Sequence, residues 1–247
     1  MSEILIGRNP VTEAIQSERS INKVLVAKGS KEGSIKKIIK MAEEKKLVVQ
    51  FVDRKKIDQL AEGGNHQGVL AYVAPYDYQE LKDVLKTIEE QAHQFVVLLD
   101  GVVDPHNLGS IIRTANAVGV DAVVIPKRRA VGMTQTVAKT SAGAIEYVPV
   151  CRVTNLGNTI DELKEAGFWI TGADMHGEQA FYEADLKGKV ALVIGGEGTG
   201  VGKRVSEKCD FLVQIPMKGA VTSLNASVAA SIMMYEVMRQ NEMKSKK

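Results

Sequence analysis

Short apolar runs that each end in polar or glycine residues are the feature that most restricts the fold of this chain. Four of them, FVVLLD, DAVVIP, ALVIGGEG and FLVQIP, begin at residues 95, 121, 191 and 211. Segments with helical periodicity separate them, among them 107–118 and 225–240. Short apolar strands that alternate with helices indicate an α/β fold with a parallel sheet covered on both faces. Because ligands bind at the carboxyl ends of such strands, the polar ends are where a site is expected.

The first 75 residues form a separate pattern of short helices and strands that predicts a small α/β domain. A stretch that begins with PYDYQE follows it, and residues 76–93 contain five Asp or Glu against two Lys. We therefore predict a domain over 1–75, a linker over 76–93 and a second domain over 94–247.

Composition restricts the class of protein. Of the 247 residues, 45% are hydrophobic and 25% are charged, which is typical of a soluble globular protein. The sequence contains neither an apolar run of about 20 residues nor the basic and apolar regions of a signal peptide, so we expect a cytoplasmic protein without a membrane span. Cys151 and Cys209 lack metal-ligand spacing, and we predict two core cysteines, no disulfide and no metal site.

Positive charge is concentrated near the N-terminus. Residues 1–75 contain 13 Lys or Arg and 9 Asp or Glu, a net charge of +4, whereas the whole chain has +2. This favours contact of the first domain with a polyanion, although a solvated basic surface has the same composition.

The first polar strand end reads DGVVDPHNLGSIIRTANAVG, residues 100–119. Asp104-Pro105 predicts a turn, and Asn107 is a candidate cap for the helix that follows. Arg113 lies inside this apolar helix. Helix geometry alone favours a solvated arginine on the outer surface of the helix. The alternative is that Arg113 points its positive charge into a functional site.

The second polar end, LVIGGEGTGVGKR, resembles two phosphate-binding motifs but matches neither. A P-loop would need Gly at Glu197 and Ser or Thr at Arg204, and a dinucleotide motif would need Gly at Val201. What remains is a loop where backbone can approach a flat ligand closely, with Glu197 in its middle. A tight turn with a solvated glutamate is the competing interpretation.

The third polar end, QIPMKGAVTSLNASVAASI, places three polar side chains where the last helix begins, Ser223, Asn225 and Ser227. If these side chains have only a structural role, Ser223 or Asn225 caps the last helix.

Together the three ends resemble the three motifs of the SpoU (TrmH) family of RNA ribose 2′-O-methyltransferases in the SPOUT superfamily. The match rests on an ordered set of residues: Asn107, Leu108, Gly109 and Arg113; Gly195, Glu197 and Gly198; Pro216, Ser223, Leu224, Asn225 and Ser227. GRNPVTEAI and NHQGVLAYV are similar to the ribosomal-protein-like RNA-binding domain of one branch of the family. Within the family, the whole arrangement most resembles the bacterial 23S rRNA guanosine 2′-O-methyltransferases.

The resemblance implies a C-terminal SPOUT domain with a deep trefoil knot, S-adenosyl-L-methionine as cofactor, and a homodimer through the knotted domains. It also implies cofactor contacts at five positions: Gly195, Gly196, Ile215, Met217 and Leu224.

Five residues are the implied catalytic set: Asn107, Arg113, Glu197, Ser223 and Asn225. A permanent positive charge on Arg113 would stabilise the developing alkoxide of the ribose. Asn107 and Asn225 would position the ribose and Arg113, Glu197 would orient Arg113 or accept the proton, and Ser223 would support them.

The implied substrate is RNA. The weak candidates for its contacts in the first domain are Arg8, Lys28, Arg54, Lys55, Asn65 and His66. His66 is equally a structural residue of the Gly63-Gly64 turn. Two alternatives to an rRNA methyltransferase stay open, namely a tRNA ribose 2′-O-methyltransferase and a non-catalytic RNA-binding or ribosome-assembly factor with the same fold.

Overall fold

The computed structural model describes residues 3–17, 19–30, 33–198, 200–220 and 222–242. The strands are β1 (Glu3–Ile6), β2 (Ile21–Ala27), β3 (Val49–Val52), β4 (Val69–Val73), β5 (Gln94–Asp100), β6 (Ala122–Pro126), β7 (Val150–Val153), β8 (Trp169–Ala173), β9 (Gln179–Ala180), β10 (Lys189–Gly195) and β11 (Phe211–Gln214). The helices are α1 (Arg8–Gln16), α2 (Gly33–Glu44), α3 (Arg54–Leu60), α4 (Leu81–Thr87), α5 (Pro105–Val118), α6 (Gln135–Thr140), α7 (Leu156–Glu165), α8 (Lys203–Ser206) and α9 (Ala226–Glu242), with a 3-10 turn at Ala144–Glu146.

These elements form two compact units. Unit 1 contains the chain up to Asp77 together with Met133–Tyr147. Unit 2 contains Tyr78–Gly132 together with the chain from Val148 on.

Unit 1 is built on a four-stranded sheet in the order β1-β4-β2-β3. Strand β4 is antiparallel to β1 and β2, and β2 is parallel to β3. Helix α2 shows why the segment folds as it does: its buried residues Ile35, Ile38 and Ala42 recur at helical spacing, and lysines and glutamates occupy its exposed face.

A buried ion pair within unit 1 joins its two stretches of sequence. The Arg19 guanidinium donates to Glu146 at 2.7 Å, to Glu3 at 2.9 Å and to the Ala74 carbonyl at 3.0 Å. The side chains of Arg19 and Glu146 are 8% and 5% exposed, so removal of either partner would leave a buried charge uncompensated. Residues 133–147 therefore belong with unit 1, which differs from the predicted continuous domain over 94–247.

Unit 2 confirms the predicted α/β fold with a parallel sheet. Its seven strands lie in the order β7-β6-β5-β10-β8-β11-β9, and every neighbouring pair is parallel. The residues of β5 from Gln94 to Leu99 are all buried, as expected for a central strand covered on both faces.

Two helices of unit 2 differ from the sequence prediction. Helix α4 lies in the predicted linker 76–93, yet Leu81 and Val84 are part of the hydrophobic core of the unit. Helix α5 is capped by Asp104, whose carboxylate accepts from the backbone N–H of His106, so the prediction that Asn107 is the cap is wrong. Asn107 instead lies in the first turn, where its side chain is available for other contacts.

Helix α5 ends at Val118 and is capped by Gly119, which adopts φ 72°. Its inner face, Leu108, Ile111 and Ile112, is 0% exposed. Among the residues that the structure describes, no helix combines the length and the apolar character that a membrane span requires.

Candidate active site

Four strand ends of unit 2 meet at one edge of the sheet. The carboxyl ends of β5, β10, β8 and β11 are neighbours in that order. Backbone contacts hold the first two together: the N–H of Gly196 donates to the Asp100 carbonyl at 2.8 Å, and the N–H of Gly202 donates to the Asp100 carboxylate at 2.8 Å. The loop after β10 is thereby fixed against the loop after β5.

A cavity of about 480 Å³ opens at this edge. That volume lies within the range of small-molecule and cofactor sites. All five residues predicted to bind the cofactor line it: Gly195, Gly196, Ile215, Met217 and Leu224. The lining therefore combines apolar side chains and glycine backbone with a few polar side chains, among them Glu197 and Ser223.

Two of these glycines lie too close to neighbouring backbone for any side chain. A Cβ atom on Gly195 would lie 2.0 Å from the Gly200 carbonyl carbon, and one on Gly196 would lie 2.3 Å from the Gly101 oxygen. Only glycine permits this packing, which brings backbone directly to the cavity wall. Such a wall suits a flat ligand of nucleoside size.

Three of the five predicted catalytic residues form one hydrogen-bonded cluster, Asn107, Glu197 and Asn225. The Asn107 Nδ2 donates to Glu197 Oε1 at 3.0 Å. The Asn225 Nδ2 donates to the same oxygen at 2.6 Å and to Asn107 Oδ1 at 2.9 Å. Asn107 is 6% exposed, so the cluster is anchored from its buried side.

The orientation of the Asn225 amide follows from its other contacts. Its Oδ1 accepts from the backbone N–H groups of Ser227 at 3.0 Å and Val228 at 3.3 Å, and from the Ser227 hydroxyl at 2.6 Å. Because backbone N–H groups only donate, the oxygen must face them and Nδ2 must face Glu197. Asn225 is thus a helix cap and a member of the cluster at once.

The remaining oxygen of Glu197, Oε2, has no hydrogen-bond partner among the described residues. Glu197 and Ser223 both line the cavity. A carboxylate fixed through one oxygen and open at the other can accept a proton from a bound hydroxyl group.

Arg113 does not join this cluster. It is exposed, and it forms no hydrogen bond or ion pair within the part of the chain that the structure describes. Arg113 is six positions after Asn107 in the helix, which places it about 120° around the helix axis and about 9 Å along it.

Sequence reasoning missed the contribution of β8. Four residues that follow or end this strand line the cavity: Ala173, Asp174, Met175 and His176. Asp100, which connects the β5 and β10 loops, was also not assigned. Each follows an apolar strand run, so the rule that identified the other polar ends could have found them.

The six predicted RNA-binding residues lie in unit 1, with different surroundings. Arg54, Lys55 and Asn65 are exposed. Lys28 is exposed and pairs with Asp53 at 3.1 Å. The Arg8 guanidinium donates to the Gln67 carbonyl at 3.1 Å and to the Ser34 hydroxyl at 2.9 Å.

His66 is 5% exposed and has internal partners on both ring nitrogens. Its Nδ1 accepts from the backbone N–H of Gly68 at 2.9 Å, and its Nε2 lies 2.8 Å from the Asp58 carboxylate. Since Nδ1 accepts, Nε2 carries the proton and donates to Asp58. These contacts favour the structural interpretation of His66.

The two cysteines are core residues, as predicted. Cys151 belongs to the hydrophobic core of unit 2 and Cys209 packs against it. Burial raises the pKa of each thiol to about 12. No group of three or more His, Cys, Asp or Glu side chains in the described ranges is arranged to hold a metal ion.

Two family models match the chain. The model described as the SpoU rRNA Methylase family matches residues 94–235, and the model described as RNA 2′-O ribose methyltransferase substrate binding matches residues 4–79.

Individual proteins are also similar. YacO of Bacillus subtilis, assigned to the TrmH family of tRNA/rRNA methyltransferases, is 52% identical over 96% of both chains. The SpoU methyltransferase AviRb of Streptomyces viridochromogenes superposes with a TM-score of 0.83 at 25% identity, over 98% of this chain and 91% of that one. An AdoMet-bound rRNA methyltransferase of Sinorhizobium meliloti gives a TM-score of 0.81 at 25% identity, over 96% and 87%.

Proposed function

Because the chain belongs to the SpoU rRNA methylase family, we propose that it transfers a methyl group from S-adenosyl-L-methionine to the 2′-hydroxyl of an RNA ribose, with a guanosine of 23S rRNA as the target. The observation that supports this chemistry best is the Glu197 carboxylate, which two amides orient at the edge of a nucleoside-sized cavity.

The cavity fits the cofactor that we assign to it. The backbone of Gly195 and Gly196 forms part of the wall against which a flat adenosine group would lie, and Ile215, Met217 and Leu224 provide apolar contacts. When bound, S-adenosyl-L-methionine supplies an electrophilic methyl group on a sulfonium, so the reaction needs no metal.

The cluster of Asn107, Glu197 and Asn225 prepares the nucleophile. Transfer of the methyl group to the ribose 2′-oxygen would require that the hydroxyl proton leaves that oxygen. Glu197 Oε2, free of hydrogen bonds within the described chain, accepts this proton, and the two asparagine amides hold the carboxylate in place. Ser223, on the cavity wall, is placed to donate a supporting hydrogen bond to the substrate.

Arg113 stabilises negative charge that develops on the ribose oxygen. In a single chain it is exposed and without a carboxylate partner among the described residues, and we propose that a second copy of the chain completes its surroundings. Helix α9 supports a homodimer, because Val228 and Tyr235 are 46% and 49% exposed and lie seven residues apart, on one face.

Unit 1 recruits the RNA. The exposed basic residues Arg54 and Lys55 are suited to phosphate contacts, and the family model that matches residues 4–79 describes a substrate-binding domain. A cytoplasmic location, where rRNA is available, stays a prediction.

The decisive experiment is incubation of the purified protein with labelled S-adenosyl-L-methionine and, separately, unmodified 23S rRNA and tRNA. Nuclease digestion and mass spectrometry of the nucleosides then identify the product. We expect 2′-O-methylguanosine in rRNA alone, and loss of the product in Glu197→Gln. Methylation of tRNA would keep the chemistry and change the substrate. RNA binding without transfer would contradict the proposal and favour a ribosome-assembly factor.

A further inference from the structure

A basic loop follows β6 at the same sheet edge as the cavity. Lys127, Arg128 and Arg129 succeed each other directly after this strand, and all three are exposed. Since β5 alone separates β6 from β10, the ends of these two strands, from which the basic loop and the glycine loop leave the sheet, lie about 10 Å apart in its plane.

Both ends of this loop are fixed by backbone hydrogen bonds. The N–H of Lys127 donates to the Val153 carbonyl at 2.7 Å, and the N–H of Val131 donates to the Val102 carbonyl at 3.2 Å. Arg129 adopts φ 59°, a left-handed conformation that costs energy for a long side chain. The loop thus holds a cation at a backbone position that glycine would occupy more easily.

A fourth cation joins the loop from the next strand. The Arg152 guanidinium donates to the Lys127 carbonyl at 3.3 Å and lies 5.3 Å from the centre of the Tyr78 ring. Its position is therefore fixed by its neighbours while its side chain remains exposed.

None of these four cations has a carboxylate partner within the described ranges of the chain. Elsewhere in unit 2, five lysines lie within 4.0 Å of an Asp or Glu, namely Lys86, Lys164, Lys187, Lys203 and Lys208, and the described lysines without such a partner, Lys82, Lys189 and Lys218, do not follow one another in the chain. The loop therefore presents uncompensated positive charge beside the cavity.

We propose that the loop Lys127–Arg129, together with Arg152, binds phosphates of the RNA strand that flanks the ribose in the active site. This inference rests on the proposed function, because it needs RNA at the cavity. A separation of about 10 Å can be spanned by at most about three nucleotides, because adjacent phosphates of one strand lie farther apart than the axial rise of about 3.4 Å per nucleotide in duplex DNA. The loop would then fix the register of the strand near the reacting ribose, while unit 1 recruits the RNA.

The test compares RNA binding at several salt concentrations. Binding of an unmodified 23S rRNA transcript is measured by filter retention for the wild type and for K127A/R128A/R129A, between about 50 and 200 mM salt. Each phosphate contact adds about 0.7 to 0.9 to the slope of log K against log salt, so loss of three contacts should reduce the slope by about 2. The φ of 59° at Arg129 suits glycine, so Arg129→Gly should keep the fold. It should reduce the slope by about 0.7, the contribution of one phosphate contact.

The matched control is K82A/K86A/K187A, which removes the same charge from exposed positions of the same unit. Its slope should change by less than half as much, and S-adenosyl-L-methionine affinity should stay within about twofold in every variant. Equal slopes for the two triple variants would overturn the inference. An acidic protein would then be the alternative partner of the loop. Failure of the wild type to methylate any RNA would instead refute the proposed function, so the two failures are distinguishable.

Discussion

Asn107 and Glu197 are 90 residues apart in the chain, and the Asn107 amide donates to the Glu197 carboxylate at 3.0 Å. Glu197→Gln keeps the size of the side chain and removes the proton acceptor. We expect it to reduce the rate of methyl transfer at least about 100-fold with RNA affinity unchanged within about twofold.

Asn107→Asp is the companion variant. It places a second carboxylate against Glu197, and repulsion between the two should lower both activity and stability. Single-turnover rates, together with thermal unfolding, check both variants. Normal transfer by Glu197→Gln would show that this carboxylate takes no proton.

Gly196→Ala tests the packing of the cavity wall. The new Cβ would lie 2.3 Å from the Gly101 oxygen, so the backbone must shift, at a cost of about 2 kcal/mol or more. We expect lower thermal stability and loss of cofactor binding by calorimetry. Gly119→Ala is the control, because Gly119 does not line the cavity, nothing lies within 4 Å of its Cβ, and only its φ of 72° is unfavourable, at about 1 kcal/mol. Similar cofactor affinity in both would mean that the wall is formed differently.

Arg113→Ala should separate transfer from cofactor binding. Arg113 is not part of the cavity lining, so cofactor affinity should stay within about twofold, while the transfer rate falls at least about 100-fold. Arg113→Lys keeps the charge and should recover part of the rate. Near-normal methylation by both variants would show that Arg113 is a solvated surface residue without a role in transfer.

We expect His66→Ala to lower the free energy of unfolding and not to remove a direct RNA contact. Loss of its contacts with Gly68 and Asp58 leaves a buried N–H without a partner, at a cost of about 2 kcal/mol. The exposed pair Arg54 and Lys55 provides the contrast: their replacement by alanine should weaken RNA binding and leave the unfolding transition in place. Weaker RNA binding by His66→Ala at unchanged stability would make His66 a direct contact.

The cysteines should be unreactive in the folded protein. With a pKa of about 12, roughly one thiol in 10,000 is ionised at pH 8, and the thiolate is the reactive form. Because the pKa is raised, the rate of alkylation should increase with pH throughout the range in which the fold is stable. Mass spectrometry after iodoacetamide treatment checks this, and rapid alkylation at pH 8 with loss of activity would contradict it.

Much of the fold follows from local sequence pattern. The apolar runs of β5, β6 and β10 predicted a parallel sheet, because strands buried on both faces need continuous hydrophobic sequence. Sequence reasoning missed three short elements, namely β1 with four residues, β9 with two and α8 with four; β9 and α8 each contain a single apolar residue, too few for a period to be visible. The trefoil knot stays a prediction, since strand order and register describe neighbours and not how the chain is threaded.

The candidate site was predictable in part. Polar strand ends placed Glu197 and Asn225 at one edge, because parallel strands bring their carboxyl ends together. That Asn225 both caps α9 and holds Glu197 was not predictable, because a cap and a site residue have the same sequence signature. The exposed position of Arg113 depends on the angle around α5, which the sequence defines only once the helix start is known.

The buried pair of Arg19 and Glu146 determines when unit 1 can finish folding while the chain is being synthesised. The two residues are separated by 127 positions, so the carboxylate leaves the ribosome well after the arginine. At about 5 to 20 residues per second, that interval is on the order of ten seconds. Unit 1 thus cannot complete its own interior as soon as residue 77 has been translated, and it must wait for a segment made midway through unit 2.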